Sequence, residues 1–366
     1  MIPFWLRRHV LLLRNLLANR ERPQLVTLAR IGDPEDFVWA ILPHAARTFS
    51  ACIALMPRRS ALPSAVAYLY CRMLDTYEDL VRSPKEREAS LRAFAGRMST
   101  TDAALLPAPP VVAAADSDER DRAHLLLVQR AHLVDRVFVT FDQATREIIR
   151  DLVRDMAEGM CWSSATFHAQ GGVLTSEAQL SAYCRHVLGN PTVFGIRILR
   201  LHYGQPLTLT DAEREDAMLV GEFVQLANVT RDIEKDLRRG IAYDAALKPD
   251  LGRELSDPDL IRRCSDARER LLRSALSRAG AYTRAISSIR LPNVSVARAA
   301  AVLMLLFTER YYRACARRVG LPVWKGPEST LALLARSLPA AFSERIGVAE
   351  MERAESELLW VSAAER

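Results

Sequence analysis

Several signatures that mark common functional classes are missing from this chain of 366 residues. Its six cysteines stand far apart, with no C-x-x-C pair and no histidine cluster at zinc spacing, so we expect reduced thiols in the core of a cytoplasmic protein. Lysine occurs only four times, and the abundant arginine is dispersed among acidic residues rather than gathered into a basic run with aromatics. No G-x-G-x-x-G follows a strand pattern, which argues against a Rossmann nucleotide domain. Nucleic acid is therefore not an expected partner.

Long uninterrupted hydrophobic runs are missing as well. The apolar N-terminus is broken by Arg7, Arg8 and Arg14, and no small-residue cleavage site follows, so it fits neither a signal peptide nor a membrane span. We interpret residues 1–33 as an amphipathic segment, whose first helix either packs on the domain or lies at a membrane surface. The net charge of +6 suits anionic small molecules or an anionic membrane. The prediction is a cytoplasmic protein, with peripheral membrane association as the open alternative and a monomer favoured.

Helical periodicity is what the chain has in abundance. Apolar residues recur at helical spacing almost throughout, whereas alternating β-branched stretches bounded by turns are scarce. This pattern predicts an all-α fold. The predicted helices cover residues 34–55, 61–82, 84–98, 120–138, 142–169, 176–203, 210–238, 256–288, 294–318 and 327–336. Thr210, followed by Glu213, forms a capping-box signature that marks the start of the helix over 210–238.

One Pro/Ala-rich stretch, residues 101–117, has the composition of a linker. We interpret it as a surface loop, because the helices on its two sides carry complementary halves of what looks like one site. The prediction is a single domain of about ten helices around a central cavity, spanning residues 34–340. A C-terminal tail follows over residues 341–366.

The first chemically informative segment is A-Y-L-Y-C-R-M-L-D-T-Y-E-D-L (67–80). On a helix, Asp75, Glu78 and Asp79 lie three and four residues apart and project from one face. Three crowded carboxylates repel one another, so they are best explained by a hard divalent cation with oxygen ligands, held between them and a phosphate. An exposed acidic helix face is the alternative interpretation of this segment alone.

The second segment is Q-L-A-N-V-T-R-D-I-E-K-D (225–236). It places Asn228, Asp232 and Asp236 at i, i+4 and i+8 along one stripe, with Arg231 beside it. An amide oxygen and two carboxylates are a suitable ligand set for Mg²⁺, which proteins hold with few carboxylates and the phosphates of the substrate. Two acid-lined helices, each with an arginine nearby (Arg72 in the first), therefore predict a diphosphate clamp.

With these two segments, the chain resembles the squalene/phytoene synthase family, which has the class I isoprenoid synthase fold. D-T-Y-E-D (75–79) and N-V-T-R-D-I-E-K-D (228–236) are similar to the two aspartate-rich motifs of that family. A-R-T-F (46–49) and Y-C-R-H-V-L-G (183–189) match further family segments in order, and the resemblance covers about residues 34–340. The first motif is closer to the squalene synthase form than to the phytoene synthase form. Segment 240–244, G-I-A-Y-D, departs from the family pattern.

The resemblance implies a role for each matching residue. The implied ligands of Mg²⁺ or Mn²⁺ are Asp75, Glu78, Asp79, Asn228, Asp232 and Asp236. The implied substrate contacts are Arg47, Phe49, Arg72, Gln225, Arg231 and Tyr312. The implied catalytic residues are Tyr68, Arg72, Asp75, Asp79, Tyr183 and Asp232. The phenol of Tyr183 can hydrogen-bond a leaving diphosphate while its ring stabilises an allylic cation, and an ordinary core tyrosine is the alternative.

The reaction that the resemblance implies is the head-to-head condensation of two farnesyl diphosphates through presqualene diphosphate to squalene. The last step would take hydride from NADPH, and Lys325 is either a contact of its phosphate or an ordinary surface lysine. Two alternatives stay open within the enzymes: a phytoene or dehydrosqualene synthase, and an enzyme that stops at presqualene diphosphate. The alternative of another class is a catalytically silent, membrane-associated assembly factor with the same fold.

Overall fold

The structure is a computed structural model that describes residues 4–18, 22–46, 48–99, 106–112, 119–253, 257–323 and 325–363. Over these residues the chain is helical, without a β-strand, and its extended contacts are limited to a single bridge between Val173 and Ala242. The prediction of an all-α fold is confirmed. The first nine helices are α1 (Phe4–Leu17), α2 (Leu25–Arg30), α3 (Pro34–Ala46), α4 (Thr48–Leu55), α5 (Arg58–Leu80), α6 (Pro84–Arg97), α7 (Glu119–Gln129), α8 (Ala131–Phe138) and α9 (Gln143–Ala169).

The later helices carry the second half of the candidate site. They are α10 (Glu177–Cys184), α11 (Asn190–His202), α12 (Asp211–Arg238), α13 (Pro258–Leu276), α14 (Ala281–Ser287), α15 (Val296–Arg318), α16 (Thr330–Ser337) and α17 (Glu344–Ala363). A π-helical turn, Arg185–Gly189, joins α10 to α11, and two short 3₁₀ segments complete the set, Ala245–Asp250 and Leu338–Ala341.

Local sequence signals explain several helix starts. Thr210 accepts a hydrogen bond from the backbone N–H of Glu213, whose carboxylate accepts one from the N–H of Thr210 in return. This confirms the capping box, and α12 begins where it predicts. Ser83 caps α6 in a similar way, with Pro84 in the first helical position, where its missing N–H costs nothing.

The chain groups into two compact units. The first comprises residues 1–161 and 197–207, and the second comprises 162–196 and 208–366. Each is described by itself below.

The first unit is built around α5, which packs against α3, α4 and α6–α8. Its core includes an aromatic cluster in which the Tyr70 ring lies 6.1 Å from Phe94 and 5.8 Å from Phe138, measured between ring centroids. The Tyr70 hydroxyl donates to Asp135, which also pairs with the buried Arg97. This buried ion pair, with its hydrogen bonds filled, anchors the helix that carries the first acidic motif.

The N-terminal helix α1 packs on α4 through Leu11, and Arg7 and Arg8 bond to Glu35 and to the carbonyl of Met56. These contacts support the interpretation of α1 as a packed helix. Within the described part of the chain, no helix combines the length and the apolar character needed to cross a bilayer.

The second unit has α12 at its centre. This helix packs against α13, α14, α15 and the π-helical turn, and buries Leu226, Val229 and Ile233. The C-terminal region, predicted as a tail, contains α17, which packs on α13, α14 and α15. Helix α17 therefore belongs to this unit.

Candidate active site

The first acidic motif lies on the last two turns of α5. Asp75 and Glu78 are half-buried and Asp79 is exposed, while the neighbouring Leu74 and Tyr77 are fully buried. The three carboxylates therefore share the one side of the helix that neighbouring helices leave uncovered. Oxygen ligands on such a side are accessible to a cation and to the phosphate that it would carry.

Arg72, one turn before Asp75, is held at three nitrogen atoms. Its Nε donates to the carbonyl oxygen of Ala45 at 3.1 Å, and its Nη2 donates to the Tyr68 hydroxyl at 3.1 Å. The Nη1 atom lies 3.0 Å from Oδ2 of Asp75. The guanidinium also lies over the Tyr68 ring, 5.8 Å from its centroid. Three predicted site residues thus form one connected group, with the arginine oriented by a backbone carbonyl from α3.

The charge state of Asp75 reflects crowding on this face. Burial raises the pKa of Asp75 to about 6, Arg72 lowers it, and the neighbouring charge of Asp79 raises it further. An acid whose ionised form is disfavoured by burial and by a like charge gains from a nearby cation. The electrostatics of the first motif therefore fit the expectation of a bound divalent ion.

Glu78 has different surroundings from Asp75. Burial raises the pKa of the nearby Cys161 thiol, and Arg92 lowers it. The negative charges of Glu88, Glu78 and Glu158 raise it further. Glu78 therefore faces a second group of charges beside α9. Its expected supporting role toward a metal ion stays a prediction.

The second motif lies along a half-buried side of the C-terminal half of α12. Asn228, Asp232 and Asp236 are all half-buried, as is Arg231 beside them. Arg231 donates from Nε to Oδ1 of Asp232 at 2.8 Å and from Nη2 to Oδ2 at 2.6 Å. Its guanidinium also lies 5.1 Å from the ring centroid of Tyr311. Arg231 is therefore already oriented at the carboxylate that is expected to bind metal.

A chain of side-chain amides links this stripe to Tyr183. Asn228 donates from Nδ2 to Oε1 of Gln225 at 3.1 Å, and Gln225 donates from Nε2 to the Tyr183 hydroxyl at 3.4 Å. Because the amide nitrogen of Asn228 is used in this way, its carbonyl oxygen lies on the other side of the amide group, as a metal ligand requires. Gln225, Asn228 and Tyr183, each predicted separately, are thus connected.

The π-helical turn, Arg185–Gly189, places Tyr183 against α12. Gly221 of α12 touches this turn so closely that a Cβ atom on Gly221 would lie 2.2 Å from the nitrogen of Gly189. Just beyond it, the buried carboxylate of Glu222 accepts from Arg185 at 2.6 Å, Arg278 at 2.8 Å and Ser181 at 2.8 Å. This network fastens the end of α10 to α12, and π-helical turns occur frequently at functional sites.

Sequence reasoning missed these positioning residues. Glu222 precedes Gln225 by three residues and so continues the stripe that includes Asn228, which is a signal that the sequence does contain. Its partners Arg185 and Arg278 lie on other helices, and no spacing in the sequence points to them. Tyr243, in the departing segment 240–244, was missed as well.

The remaining predicted site residues lie in varied surroundings. The rings of Phe49 and Tyr68 are 5.8 Å apart between centroids, so Phe49 adjoins the Arg72 group. Tyr312 is fully buried and donates its hydroxyl to the carbonyl of Phe223, which leaves only its ring for contact with an apolar chain. Lys325 is exposed. Arg47 lies outside the described residues.

The donor atoms of both motifs suit a hard cation. Carboxylates and an amide oxygen are the ligands that Mg²⁺ prefers, and the Asn228 oxygen is oriented for that use. Among the described residues, no three His, Cys, Asp or Glu side chains are gathered closely enough to hold a metal ion by themselves. The expected ligand set includes diphosphate oxygens from the substrate, so part of the coordination is to come from the substrate.

Comparison with known proteins gives the family. The sequence profile described as squalene/phytoene synthase matches residues 42–330, which is most of the chain and contains both acidic motifs. The chain belongs to the squalene/phytoene synthase family. The predicted membership of this family, whose characterised relatives are prenyltransferase-type enzymes, is confirmed.

Curated relatives of this family share about a third of their aligned residues with the chain. The lycopaoctaene synthase of Botryococcus braunii is 30% identical over 215 residues, which is 57% of this chain and 43% of that protein. The probable squalene synthase of Neurospora crassa is 30% identical over 199 residues, 52% of this chain and 37% of that protein. The matches thus cover about two fifths of the length of these relatives.

A solved structure of the family shows the same fold. The complex of TcSQS with the ligand BPH1237 superposes with a TM-score of 0.67 at 16% identity, covering 91% of this chain and 99% of that one. The expected all-helical isoprenoid synthase fold is thereby confirmed. The structure divides this fold into more helices than the ten predicted, because several long predicted helices are interrupted.

Proposed function

We propose that this squalene/phytoene synthase family member condenses two farnesyl diphosphates head to head, through presqualene diphosphate, to squalene. The observation that carries the proposal is the connected group on α12, where the expected metal ligand Asn228 is hydrogen-bonded through Gln225 to the Tyr183 hydroxyl. This arrangement supports a phenol that acts beside the oxygens expected to bind a metal diphosphate. The squalene synthases among the curated relatives, and the form of the first motif, favour the C30 product.

Several side chains contribute to the first ionisation, in which the diphosphate leaves the allylic carbon. Mg²⁺ held at Asp75 and Asp79, or at Asn228, Asp232 and Asp236, would neutralise charge on a departing diphosphate. Arg72 and Arg231 add charge-assisted hydrogen bonds to the diphosphate oxygens. Each is held in place by a carboxylate beside it, so little reorganisation is needed.

Tyr183 acts at the carbon that loses the diphosphate. It is almost fully buried, and its phenol can donate to a diphosphate oxygen while its ring faces the allylic cation. The cation is then attacked by the double bond of the second prenyl chain, and loss of one proton from the resulting cation closes the cyclopropane ring of presqualene diphosphate. The buried surroundings of Tyr183 exclude water, which would otherwise capture the cation.

The second half of the reaction needs a reductant. Ionisation of presqualene diphosphate and rearrangement gives a C30 cation, and hydride from NADPH, a co-substrate, converts it into squalene. Lys325 is exposed and available to a phosphate of that nucleotide.

The test is product analysis with purified protein and Mg²⁺, using farnesyl or geranylgeranyl diphosphate, each with and without NADPH. Squalene from farnesyl diphosphate, dependent on NADPH, is the expected result. Dehydrosqualene, phytoene from the C20 substrate, or accumulated presqualene diphosphate would each establish the corresponding alternative. A protein that consumes neither substrate, and whose Asp75→Ala and Asp232→Ala variants keep its biological activity, would be the silent assembly factor.

A further inference from the structure

Tyr243 lies in the segment that departs from the family pattern, and its side chain faces a predicted catalytic residue. Its hydroxyl is 3.2 Å from that of Tyr183, and the two ring centroids are 5.2 Å apart at an interplanar angle of 39°. Phe167 meets both rings edge to face, with centroids 6.1 Å from Tyr183 and 5.8 Å from Tyr243. The three aromatic side chains form one cluster around the pair of hydroxyls.

The hydroxyl contact extends the amide chain described above. From Asn228 on α12, hydrogen bonds pass through Gln225 to Tyr183 and from there to Tyr243. A cluster of hydrogen bonds in series polarises its members, so the state of the last hydroxyl affects the others. Segment 240–244 is therefore coupled to the second acidic motif through Tyr183.

Backbone hydrogen bonds hold the segment around Tyr243 in place. The N–H of Ala242 donates to the carbonyl of Gly172 at 2.8 Å, and the N–H of Leu174 donates to the carbonyl of Ala242 at 3.0 Å. Gly172 has a φ of +90°, and a Cβ there would come 2.2 Å from the carbonyl oxygen of Gly240. The adjoining Asp244 accepts from Arg270 at 2.8 Å. These contacts fix the position of Tyr243 from both sides.

We propose that Tyr243 is a positioning residue that holds the Tyr183 hydroxyl in place during diphosphate departure; this inference rests on the proposed function. Gln225 contacts the Tyr183 oxygen from α12, and the Tyr243 hydroxyl contacts it from segment 240–244. Either hydroxyl of the tyrosine pair can be the donor, and in both cases the contact restricts the position of the Tyr183 oxygen. Without the Tyr243 hydroxyl, the Tyr183 phenol has a wider choice of positions.

The kinetic test combines Tyr243→Phe with a double-variant cycle. Tyr243→Phe should lower kcat roughly three- to tenfold, the range of one neutral hydrogen bond, with KM nearly unchanged. In a Tyr183→Phe background the same substitution should have no further effect, because Tyr243 acts on the reaction through the Tyr183 hydroxyl, which that background lacks. The matched control is Tyr282→Phe, which removes a buried hydroxyl bonded to the carbonyl of Ala301. An unchanged kcat in Tyr243→Phe, or effects that multiply in the double variant, would overturn the proposal.

A second readout does not depend on turnover. In protein labelled with ¹³Cζ-tyrosine, the Tyr183 resonance is assigned by its loss in Tyr183→Phe. Its chemical shift should change in Tyr243→Phe and stay as in the parent protein in Tyr282→Phe. If the Tyr183 chemical shift is the same in all three proteins, the positioning role is wrong whatever the reaction. If it changes while the parent protein consumes no prenyl diphosphate, the hydroxyl contact stands and the proposed function is what fails.

Discussion

At the scale of single residues, the candidate site is made of arginines and acids that are already paired before any substrate arrives. Arg72 uses three different nitrogens for three different partners, which are Ala45, Tyr68 and Asp75. A guanidinium can do this because its donors form a fixed planar fork, whereas a lysine ammonium is a single point charge. The orientation of Tyr68 and Asp75 thus depends on the shape of the Arg72 side chain as well as on its charge.

We therefore expect Arg72→Lys to lower kcat/KM by about 10- to 100-fold, equivalent to roughly 1.4–2.7 kcal/mol of transition-state stabilisation, because the fork is lost although the charge is kept. Steady-state kinetics with the prenyl diphosphate measure this. The control is Arg262→Lys, which changes an exposed arginine that also pairs with an acid three residues away. Equal kcat/KM values for the two variants would contradict the role given to Arg72.

The residues on one helix face could be predicted from the sequence, and those that meet across helices could not. Asn228, Asp232 and Asp236 share a face because helical geometry requires it at that spacing. The contact of Tyr183 with Tyr243 joins residues 60 positions apart and arises from tertiary packing alone. The role of Gln225 as the link to Asn228 follows from the i, i+3 spacing, although its second bond, to Tyr183, does not.

At the scale of elements, the π-helical turn and α12 are packed closely against each other. Two glycines allow their backbones to touch, Gly189 in the turn and Gly221 in the helix. The carboxylate of Glu222 then locks the contact with charge-assisted bonds. Since Tyr183 lies two residues before this turn, its place beside Gln225 depends on that close approach.

The substitution Gly221→Ala tests this contact. Its Cβ would meet backbone atoms of Gly189 and Leu188 that cannot move independently, so we expect a loss of about 1–3 kcal/mol in the free energy of unfolding together with reduced turnover. Thermal unfolding and kinetics are the measurements. Gly195→Ala is the control, because Gly195 lies within α11 with open space around its Cβ position. That variant should be neutral or slightly stabilised, as alanine favours a helix by about 1 kcal/mol over glycine. A Gly221→Ala protein as stable as the control would show that the contact is not tight.

Periodicity predicted where helices exist better than where they are interrupted. The predicted helix over 176–203 is divided by the π-helical turn, and the one over 120–138 is divided at Arg130. Gly189, Asn190 and Pro191 mark the first interruption, because proline lacks the N–H needed to continue the helical hydrogen bonds, whereas no proline or glycine marks the break at Arg130. The prediction of a C-terminal tail is wrong for α17, whose residues Met351, Ala354, Leu358 and Val361 recur at helical spacing and are buried. That spacing is the signal in the sequence that indicates this helix.

At the scale of the whole molecule, stability should depend on pH through a buried charge cluster where α17 meets α15 and α16. Burial and the negative charge of Glu309 raise the pKa of Glu357 to about 7, Arg336 and Arg313 lower it, and Glu350 raises it again. Arg353, on the same helix, bonds to Glu357 at 2.5 Å. Ionised Glu357 is therefore less favourable in the folded protein than in the unfolded chain.

The sign of the effect follows from the direction of the pKa shift. A carboxyl whose pKa is raised on folding binds its proton more tightly when folded, so stability falls as the pH rises from about 4.5 to about 7 and then levels off. Glu357→Gln, which cannot ionise, should lose less stability over this window. The difference in Tm between pH 5 and pH 8 should be smaller in the variant by on the order of 2 °C. Glu352→Gln, at an exposed position of α17, is the control. A variant that follows the parent protein across the whole window would contradict the shift.

The fold survives extensive sequence change, as the TM-score of 0.67 at 16% identity shows. What the two proteins must share for this is the pattern of buried faces, which many sequences can supply. This is why the all-helical class could be predicted from periodicity, and the family from two short acidic motifs. The reaction depends on fewer residues, so it has to be tested directly.

The most direct test is release of diphosphate from farnesyl diphosphate by the purified protein in the presence and absence of Mg²⁺, alongside Asp75→Asn and Asp232→Asn. We expect Mg²⁺-dependent release by the parent protein and a loss of at least about 100-fold in each variant, because each substitution removes an oxygen charge from one of the two acidic motifs. Full release without a divalent ion, or normal release by either variant, would contradict the central claim that both motifs bind a metal diphosphate.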